Sequence, residues 1–298
     1  MKMNFKSKFF YAGGDFGINI MWQLTVFYLL FFYTDVFGLS PAKAGLVFFI
    51  AKIWDGFTDP LMGYIADKTR TRWGKFRPYL LFASIPTLIS IILCFYTPDL
   101  SEDGKFIWAL STYITFTTLY TVLSVPYGSL IPAMTQDIDE RTSLSSYRYI
   151  AASCGAIVVA SLTLPLVGIF ADQKTGFVFA VSSFAILALI FLILCFYNTK
   201  ESFAKYNNEK YNLKKIFRML IENKPFQLIL IAISTTWIAN NMKTATVVYF
   251  VKYNLNLEQF FGPIVLGAIL QIILGAWITN LIKNKLEKKD IFIIGTLL

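Results

Sequence analysis

Long apolar runs alternate with short polar stretches along the chain. A helix that crosses a hydrocarbon core about 30 Å thick needs roughly 20 consecutive apolar residues. Runs of this kind cover 10–37, 42–66, 78–97, 106–134, 147–171, 176–197, 225–251 and 260–282. A ninth run begins near Ile291 and continues to the last residue, Leu298. The pattern therefore predicts an all-α integral membrane protein.

The composition supports this class and excludes several others. Hydrophobic residues make up 56% of the chain and charged residues 15%, which is too apolar for a soluble protein of this length. The chain has no histidine, and its three cysteines (Cys94, Cys154 and Cys195) lie far apart in apolar runs. We therefore expect no disulfide framework, no cofactor and no enzyme active site.

The basic residues predict the orientation in the membrane. Lysine and arginine concentrate on the cytoplasmic side of spanning helices. Here they gather at the N-terminus and in every second loop: at 68–77, 141–148, 200–224 and 283–289. This alternation predicts a multi-pass protein of the bacterial-type inner (cell) membrane, with a cytoplasmic N-terminus. It also accounts for the net charge of +9 without a nucleic-acid partner, and we expect a monomer in the lipid bilayer.

The long polar stretch at 200–224 predicts a division of the chain. Residues 1–199 would form a six-helix bundle, 200–224 a cytoplasmic linker, and 225–298 the start of a second bundle with helices seven, eight and part of nine. The string FFYTDVFGLSPAKAG is weakly echoed by YFVKYNLNLEQFFG. Parallel repeats of this kind are typical of transporters built from two halves, so we expect the second half of the bundle to be truncated.

Three ionisable residues lie inside the second apolar run. At 100° per residue, Lys52, Asp55 and Asp59 fall on one face of a helix. Each ionisable residue near mid-bilayer costs about 2.5–3.5 kcal/mol unless it is paired or solvated. Lys52 can neutralise one carboxylate, and the second leaves a negative charge suited to a monovalent cation or a proton. The alternative is a structural cluster that ties helices together.

Four strings carry a family resemblance: FYTDVFGLS, WDGFTDPLMGYIADKTRTRWGKFRPYLL, YTVLSVPYGSLIPAMTQD and ERTSLSSYR. They are similar to the glycoside–pentoside–hexuronide:cation symporters, the melibiose-permease family of the major facilitator superfamily. The resemblance implies a major facilitator-type bundle that couples saccharide uptake to sodium, lithium or protons. It also implies that Asp55 and Asp59 bind the cation, that Thr121 adds a hydroxyl, and that Lys52 balances the charge. We expect no other metal site.

The same resemblance suggests where the saccharide binds. The melibiose branch uses acidic residues at the positions of Asn19 and Ser124, so this chain departs from it and an α-galactoside is in doubt. Arg148 matches a family arginine of the sugar site, although an interfacial anchor is an equal alternative. Four further residues complete the candidate set: Asp15 on the face of Asn19, Lys243 inside helix seven, and the aromatics Tyr120 and Tyr127. For Lys243 a structural ion pair is the alternative.

A further motif concerns gating. The stretch GYIADKTRTRWGKFRP resembles the loop between helices two and three of major facilitators. In those proteins an acidic residue, here Asp67, pairs with arginines in one conformational state. The candidates here are Arg70 and Arg72, whose positive charge simple topology also explains.

These features together predict a secondary transporter. We expect symport of a glycoside or related saccharide with sodium or a proton, by alternating access between two helical halves. A carrier of uronides or other acidic sugars is the alternative within transport. A membrane sensor without flux is the alternative outside it, if the second half is never completed.

Overall fold

The computed structural model of the chain describes residues 4–203 and 222–255, together with 257, 260, 263, 264, 266–268 and 270. The apolar run at 260–282 lies largely outside the described residues, and the run that starts near Ile291 and the basic loop at 283–289 lie wholly outside them. Most of the linker at 200–224 is also outside.

The described residues are nearly all helical. The helices are α1 (Phe5–Leu24), α2 (Pro41–Lys68), α3 (Arg77–Phe82), α4 (Ser84–Cys94), α5 (Glu102–Gly128), α6 (Leu130–Met134), α7 (Ile138–Val167), α8 (Gln173–Asn198) and α9 (Lys224–Tyr249). Three π-helical segments extend two of them: π1 (Thr25–Leu29) and π2 (Phe32–Val36) follow α1, and π3 (Phe250–Asn254) follows α9. Between residues 4 and 203, a single bridge from Thr71 to Gly74 represents β-structure.

Segments π2 and π3 end in the same way. After π2, the Phe37 N–H donates to the Phe32 carbonyl and the Leu39 N–H to the Tyr33 carbonyl, both at 2.8 Å. After π3, equivalent bonds run from Leu255 to Phe250 at 3.2 Å and from Leu257 to Val251 at 3.0 Å. The two segments occupy matching positions in the strings FFYTDVFGLS and YFVKYNLNLE. The two weakly similar strings therefore share the same pattern of backbone hydrogen bonds.

Helix α2 begins and continues for clear local reasons. The Ser40 hydroxyl accepts the Lys43 N–H at 3.4 Å, and Pro41 occupies the first turn, where its missing N–H costs nothing. The helix then runs for 28 residues through Pro60 to Lys68. Since each residue rises about 1.5 Å, the two ends of α2 lie at opposite ends of the bundle.

Helix α7 begins at Ile138, nine residues before the start at 147 that the apolar pattern predicted. The Asp137 carboxylate caps it by accepting the N–H groups of Asp139 at 2.9 Å and Glu140 at 3.2 Å. Glu140 also pairs with Lys8 at 2.7 Å, which joins the start of α7 to the start of α1. The extra turns are polar, so a hydropathy pattern misses them.

Helix α8 also has a carboxylate cap. Asp172 accepts the Thr175 hydroxyl at 2.8 Å and the N–H groups of Thr175 and Lys174 at 3.1 and 3.2 Å. These hydrogen bonds favour the ionised carboxylate and lower the pKa of Asp172.

Helices α1 to α8 pack on one another around an apolar core. Helix α1 packs against α7 and α8, and α2 packs against α5. The approach of α1 to α8 is close: a Cβ at Gly17 would lie 2.9 Å from the Ala188 carbonyl oxygen. Helix α9 packs against π1, and its last residue, Tyr249, also contacts Thr34 of π2.

Three helical stretches in the described part are long and apolar enough to cross a membrane by length and composition. They are α5 with α6 (Glu102–Met134), α7 (Ile138–Val167) and α8 (Gln173–Asn198). Helix α2 has the length but carries Lys52, Asp55 and Asp59 in its middle turns.

Candidate functional site

The structure brings the four predicted cation-site residues together between α2 and α5. The Lys52 ammonium lies 2.9 Å from Asp55 Oδ2. One turn further along α2, Asp59 Oδ1 accepts the Thr121 hydroxyl of α5 at 2.7 Å. We call Lys52, Asp55, Asp59 and Thr121 the cation cluster. It holds two carboxylates and one ammonium.

The two carboxylates of the cation cluster differ in their surroundings. The Asp55 side chain is 16% exposed, and its Oδ1 atom is buried without a hydrogen-bond partner. Asp59 is exposed, although one of its oxygens accepts the hydroxyl of the buried Thr121. A buried carboxylate oxygen without a donor costs free energy unless a cation or a proton accompanies it. The arrangement is therefore chemically suited to one monovalent cation held by oxygen ligands.

A second cluster joins α1, α5 and α7. Arg148 Nη2 and Nε lie 3.0 and 3.3 Å from Asp15 Oδ1, and the guanidinium carbon lies 4.9 Å from the centre of the Tyr127 ring. Asn19 Nδ2 donates to the Asp15 carbonyl at 3.0 Å. We call Asp15, Asn19, Tyr127 and Arg148 the arginine cluster. The side chain of Asp15 is 8% exposed and that of Arg148 is 29% exposed, so the pair is largely withdrawn from solvent.

Tyr127 is held firmly within this cluster. Its ring stacks on Tyr11 with centroids 4.9 Å apart. The two residues form reciprocal hydrogen bonds: the Tyr127 hydroxyl donates to the Tyr11 carbonyl at 2.7 Å, and the Tyr11 hydroxyl donates to the Tyr127 carbonyl at 3.4 Å. Tyr127 is 1% exposed, so these contacts fix its ring as a buried support for the Arg148 guanidinium.

The remaining candidates for the saccharide site are placed differently. Tyr120, Ser124 and Tyr127 recur at helical spacing on one face of α5, and Ser124 is half-buried there. Tyr120 stacks on Trp22 of α1, with centroids 5.2 Å apart. Lys243 is exposed on α9. The structure thus brings all candidates except Lys243 into the region between α1, α5 and α7.

The gating candidates lie in the loop between α2 and α3. Asp67 pairs with Lys75 at 2.8 Å. Arg72 lies over the Trp73 ring at 4.1 Å. The ion pair that the structure gives Asp67 is therefore with a lysine of the same loop. Arg70 belongs to the same basic stretch and takes part in an interaction as well.

The sequence patterns missed a carboxylate that organises this loop. Glu201, just after α8, accepts the N–H groups of Lys75, Phe76 and Arg77 at 2.7, 2.8 and 2.7 Å. Gly74, at φ 113°, lies against it, since a Cβ there would be 2.6 Å from the carboxylate carbon. The signal in the sequence was a single acidic residue that follows the sixth apolar run opposite a basic loop.

At the other end of the bundle, π2 is joined to the end of α9 and to π3. The Thr34 hydroxyl lies 2.9 Å from the Tyr249 hydroxyl. Asp35 accepts the Tyr253 hydroxyl and lies 3.9 Å from the Lys252 ammonium. We call these five residues the end contact. They belong to π2 and to α9 with π3, the elements that share one backbone geometry.

Comparison with known proteins adds a family match and several relatives. The sequence model of a family described as MFS/sugar transport protein matches residues 10–298. The putative glycoside/cation symporter YagG of Escherichia coli K12 is 33% identical over 98% of this chain. The isoprimeverose transporter of Lactiplantibacillus pentosus is 33% identical over 98% of the chain. A putative sulfoquinovose importer of Escherichia coli K12 is 31% identical over 100% of it.

The chain does not span the full length of these relatives. It covers 64% of the putative glycoside/cation symporter, 62% of the isoprimeverose transporter and 65% of the putative sulfoquinovose importer. Since each of these similarities covers at least 98% of the chain, it includes the cation cluster and the arginine cluster.

Proposed function

We propose, from the premise that this chain belongs to the MFS/sugar transport family, that it acts in the symport of a saccharide with a monovalent cation across a bacterial inner membrane. The match over residues 10–298 and the relatives named as symporters and transporters support transport over sensing or catalysis. The finer assignment, to cation coupling at particular residues, rests on the geometry of the two clusters.

The observation that carries the proposal is the charge of the cation cluster. Two carboxylates, Asp55 and Asp59, face one ammonium, Lys52, so the cluster has a net charge of −1 when both carboxylates are ionised. One sodium, lithium ion or proton neutralises it. Buried or half-buried charge is costly in a membrane, so the helices rearrange more readily when the cation is bound. The free-energy cost of an unneutralised carboxylate thereby couples cation binding to movement of the helices.

The arginine cluster supplies the groups that suit a saccharide. Arg148 and Asn19 donate hydrogen bonds, Asp15 accepts them, and the buried Tyr127 ring supports the guanidinium. Because Asp15 already balances the charge of Arg148, a neutral saccharide is favoured over an anionic one. A glycoside such as isoprimeverose, the substrate in the name of one relative, fits this chemistry.

A carrier of acidic sugars is the second candidate. One relative is named as a putative importer of sulfoquinovose, and Arg148 lies in the cluster as the group that would meet an anion. In that case the guanidinium would exchange Asp15 for the anionic group of the substrate. The effect of an Asp15 substitution on uptake therefore distinguishes a carrier of neutral sugars from a carrier of acidic sugars.

We propose alternating access as the mode of movement. The end contact closes one end of the region between α1 and α9, and α2 reaches the opposite end of the bundle at Lys68. Opening of the end contact would expose the clusters to that side. The N-terminus would then be cytoplasmic and the end contact periplasmic.

Uptake into proteoliposomes tests the proposal. Purified protein is reconstituted, and accumulation of radiolabelled isoprimeverose, methyl glucosides and glucuronate is measured with an inward sodium gradient, a proton gradient or neither. Uphill accumulation of one sugar class under one cation gradient supports symport. Sugar counterflow without any cation effect would make the protein a uniporter, and the absence of both would overturn the transport proposal.

A further inference from the structure

Trp22 of α1 contacts both candidate sites. Its ring stacks on Tyr120 with centroids 5.2 Å apart and planes inclined by 28°. The Lys52 ammonium lies over the same indole, 4.7 Å from its centre. Trp22 also follows Asn19 by three residues and Asp15 by seven, so the three share one face of α1. No motif of the sequence distinguished this tryptophan from the other five.

The contacts of Trp22 extend to both carboxylates of the cation cluster. Lys52 divides its charge between the Trp22 ring and Asp55 Oδ2, which lies 2.9 Å away. Tyr120 is the chain neighbour of Thr121, whose hydroxyl holds Asp59 at 2.7 Å. Each carboxylate of the cation cluster is therefore linked to the pair of stacked rings. Asp55 is linked through Lys52, and Asp59 is linked through Thr121 and the α5 backbone.

We propose that Trp22 is a positioning residue that couples the cation cluster to the saccharide site, an inference that rests on the proposed function. A cation that binds at Asp55 repels the Lys52 ammonium from that carboxylate. The indole face attracts the displaced ammonium, because the ring carries negative charge density on its faces. Lys52 thus moves between two partners, and the second partner is stacked on Tyr120 beside the arginine cluster.

This arrangement makes a quantitative statement about cation affinity. Without the indole, Lys52 has Asp55 as its single partner and competes more strongly with an entering cation. Trp22→Leu should therefore weaken sodium binding by about 3- to 10-fold, the range that a half-exposed cation–π contact gives. Trp22→Phe keeps a weaker aromatic face and should lie between the two. By reciprocity, a saccharide that alters the Trp22–Tyr120 stack also alters sodium affinity.

A double-mutant cycle on sodium binding tests the proposal without any knowledge of the saccharide. Sodium dissociation constants of the purified protein are measured by equilibrium dialysis with radioactive sodium, at constant ionic strength in choline chloride. The variants are Trp22→Leu, Lys52→Met and the double variant, with Trp22→Phe as the conservative replacement. The expected result is that Trp22→Leu weakens sodium binding when Lys52 is present and has no effect when methionine replaces it.

Intrinsic fluorescence supplies the second readout and the control. Sodium should change the emission of the protein through the ammonium that shifts over the Trp22 ring, and Trp22→Phe should abolish the change. Trp108→Phe is the matched control, since Trp108 lies on α5 three turns before Tyr120 and its indole nitrogen is buried without a partner. The sodium-dependent change should survive there.

The outcomes separate this inference from the proposed function. An equal loss of sodium affinity on Trp22→Leu in both Lys52 backgrounds would show a merely structural tryptophan and overturn the inference alone. Unchanged affinity in Trp22→Leu would do the same. If the wild-type protein binds neither sodium nor lithium, the inference is overturned. The proposed function then rests on coupling to protons, which the uptake assay with a proton gradient tests separately.

Discussion

Asp55 and Asp59 share one face of α2 but are held by different partners. Asp55 is bound by the ammonium of Lys52 and keeps one buried oxygen without a donor. Asp59 is bound by the neutral hydroxyl of Thr121. Removal of either charge leaves the cluster neutral in the absence of a cation. Neutral variants should therefore behave as if the cation were permanently bound, without any further response to it.

We expect Asp55→Asn and Asp59→Asn each to abolish sodium or proton stimulation of uptake. Under the proposed coupling, the cation tightens saccharide binding of the unmodified protein by about 5- to 150-fold, the usual range. Saccharide affinity is measured across a sodium titration in each variant. Asp103→Asn, at a 90% exposed carboxylate that pairs with Lys43, is the control and should respond as the wild type does. Sodium-dependent affinity in both cluster variants would mean that the pair is structural.

The arginine cluster gives a second prediction at single residues. Arg148→Gln leaves Asp15 as an uncompensated charge with an 8% exposed side chain. The loss of unfolding free energy should be about 3 kcal/mol, the low end for a broken buried pair, since Arg148 is 29% exposed. The double variant Asp15→Asn with Arg148→Gln should regain most of that loss in detergent unfolding. Saccharide binding should stay weak in both, and a double variant as unstable as Arg148→Gln would contradict the pairing.

Part of the site follows from sequence alone, for physical reasons. The shared face of Lys52, Asp55 and Asp59 depends on helical periodicity, which a single helix fixes. The contact of Trp22 with Tyr120 depends on how α1 and α5 approach each other. The contact of Glu201 with residues 75–77 depends on where the end of α8 meets the loop before α3. Such distant contacts leave no local pattern, so neither could be found before the fold was known.

At the scale of elements, the close contact of α1 with α8 depends on glycine. Gly17→Ala places a methyl group 2.9 Å from the Ala188 carbonyl, a backbone atom that cannot rotate away. We expect a loss of about 1–3 kcal/mol in unfolding free energy, measured by SDS titration in mixed micelles. Gly45→Ala on α2, with nothing within 4 Å of the added methyl, should be neutral or stabilising by up to about 1 kcal/mol. Equal effects at the two positions would contradict the packing.

Glu201 gives an element-level prediction about the loop before α3. Its Oε1 accepts the N–H groups of Phe76 and Arg77, and its Oε2 accepts that of Lys75. Glu201→Gln turns one of these oxygens into a donor and removes a charge that favours the N-terminus of α3. Amide hydrogen exchange at residues 75–77 should accelerate by about 10-fold, as the loss of roughly 1.4 kcal/mol implies. Exchange within α7 is the internal control, and unchanged rates at 75–77 would contradict the contact.

The helices themselves were largely accessible to sequence analysis, whereas their interruptions were not. An apolar run indicates burial in lipid or in protein. The described residues are nearly all helical, as the runs predicted. The same run cannot report that α3 and α4 part at Ala83 or that α1 passes into π1 and π2. Those features depend on which carbonyl accepts each backbone N–H. A shift of the acceptor by one residue changes the type of helix and leaves the hydropathy of the sequence unchanged.

At the scale of the whole molecule, the end contact joins π2 to the end of α9 and to π3. Asp35→Asn removes the ion pair with Lys252 and weakens the bond from Tyr253. We expect this end to open more often, by about fivefold for a loss of about 1 kcal/mol. The measurement is the rate at which an impermeant maleimide labels Val36→Cys, a half-buried position of π2 outside the end contact, in a Cys154→Ser background. Asp172→Asn is the control at an exposed carboxylate, and unchanged labelling in Asp35→Asn would show that the contact does not restrain this end.

The bond between Glu201 and the loop before α3 also has a consequence for biosynthesis. Lys75 and Glu201 are 126 residues apart in the chain. A ribosome that adds ~5–20 residues per second needs roughly 6–25 s to cover that interval. Throughout it, the three N–H groups of the emerging loop can bond only to water or to other groups. Translation therefore sets the earliest moment at which this loop takes its final form, after the whole of α8 has been made.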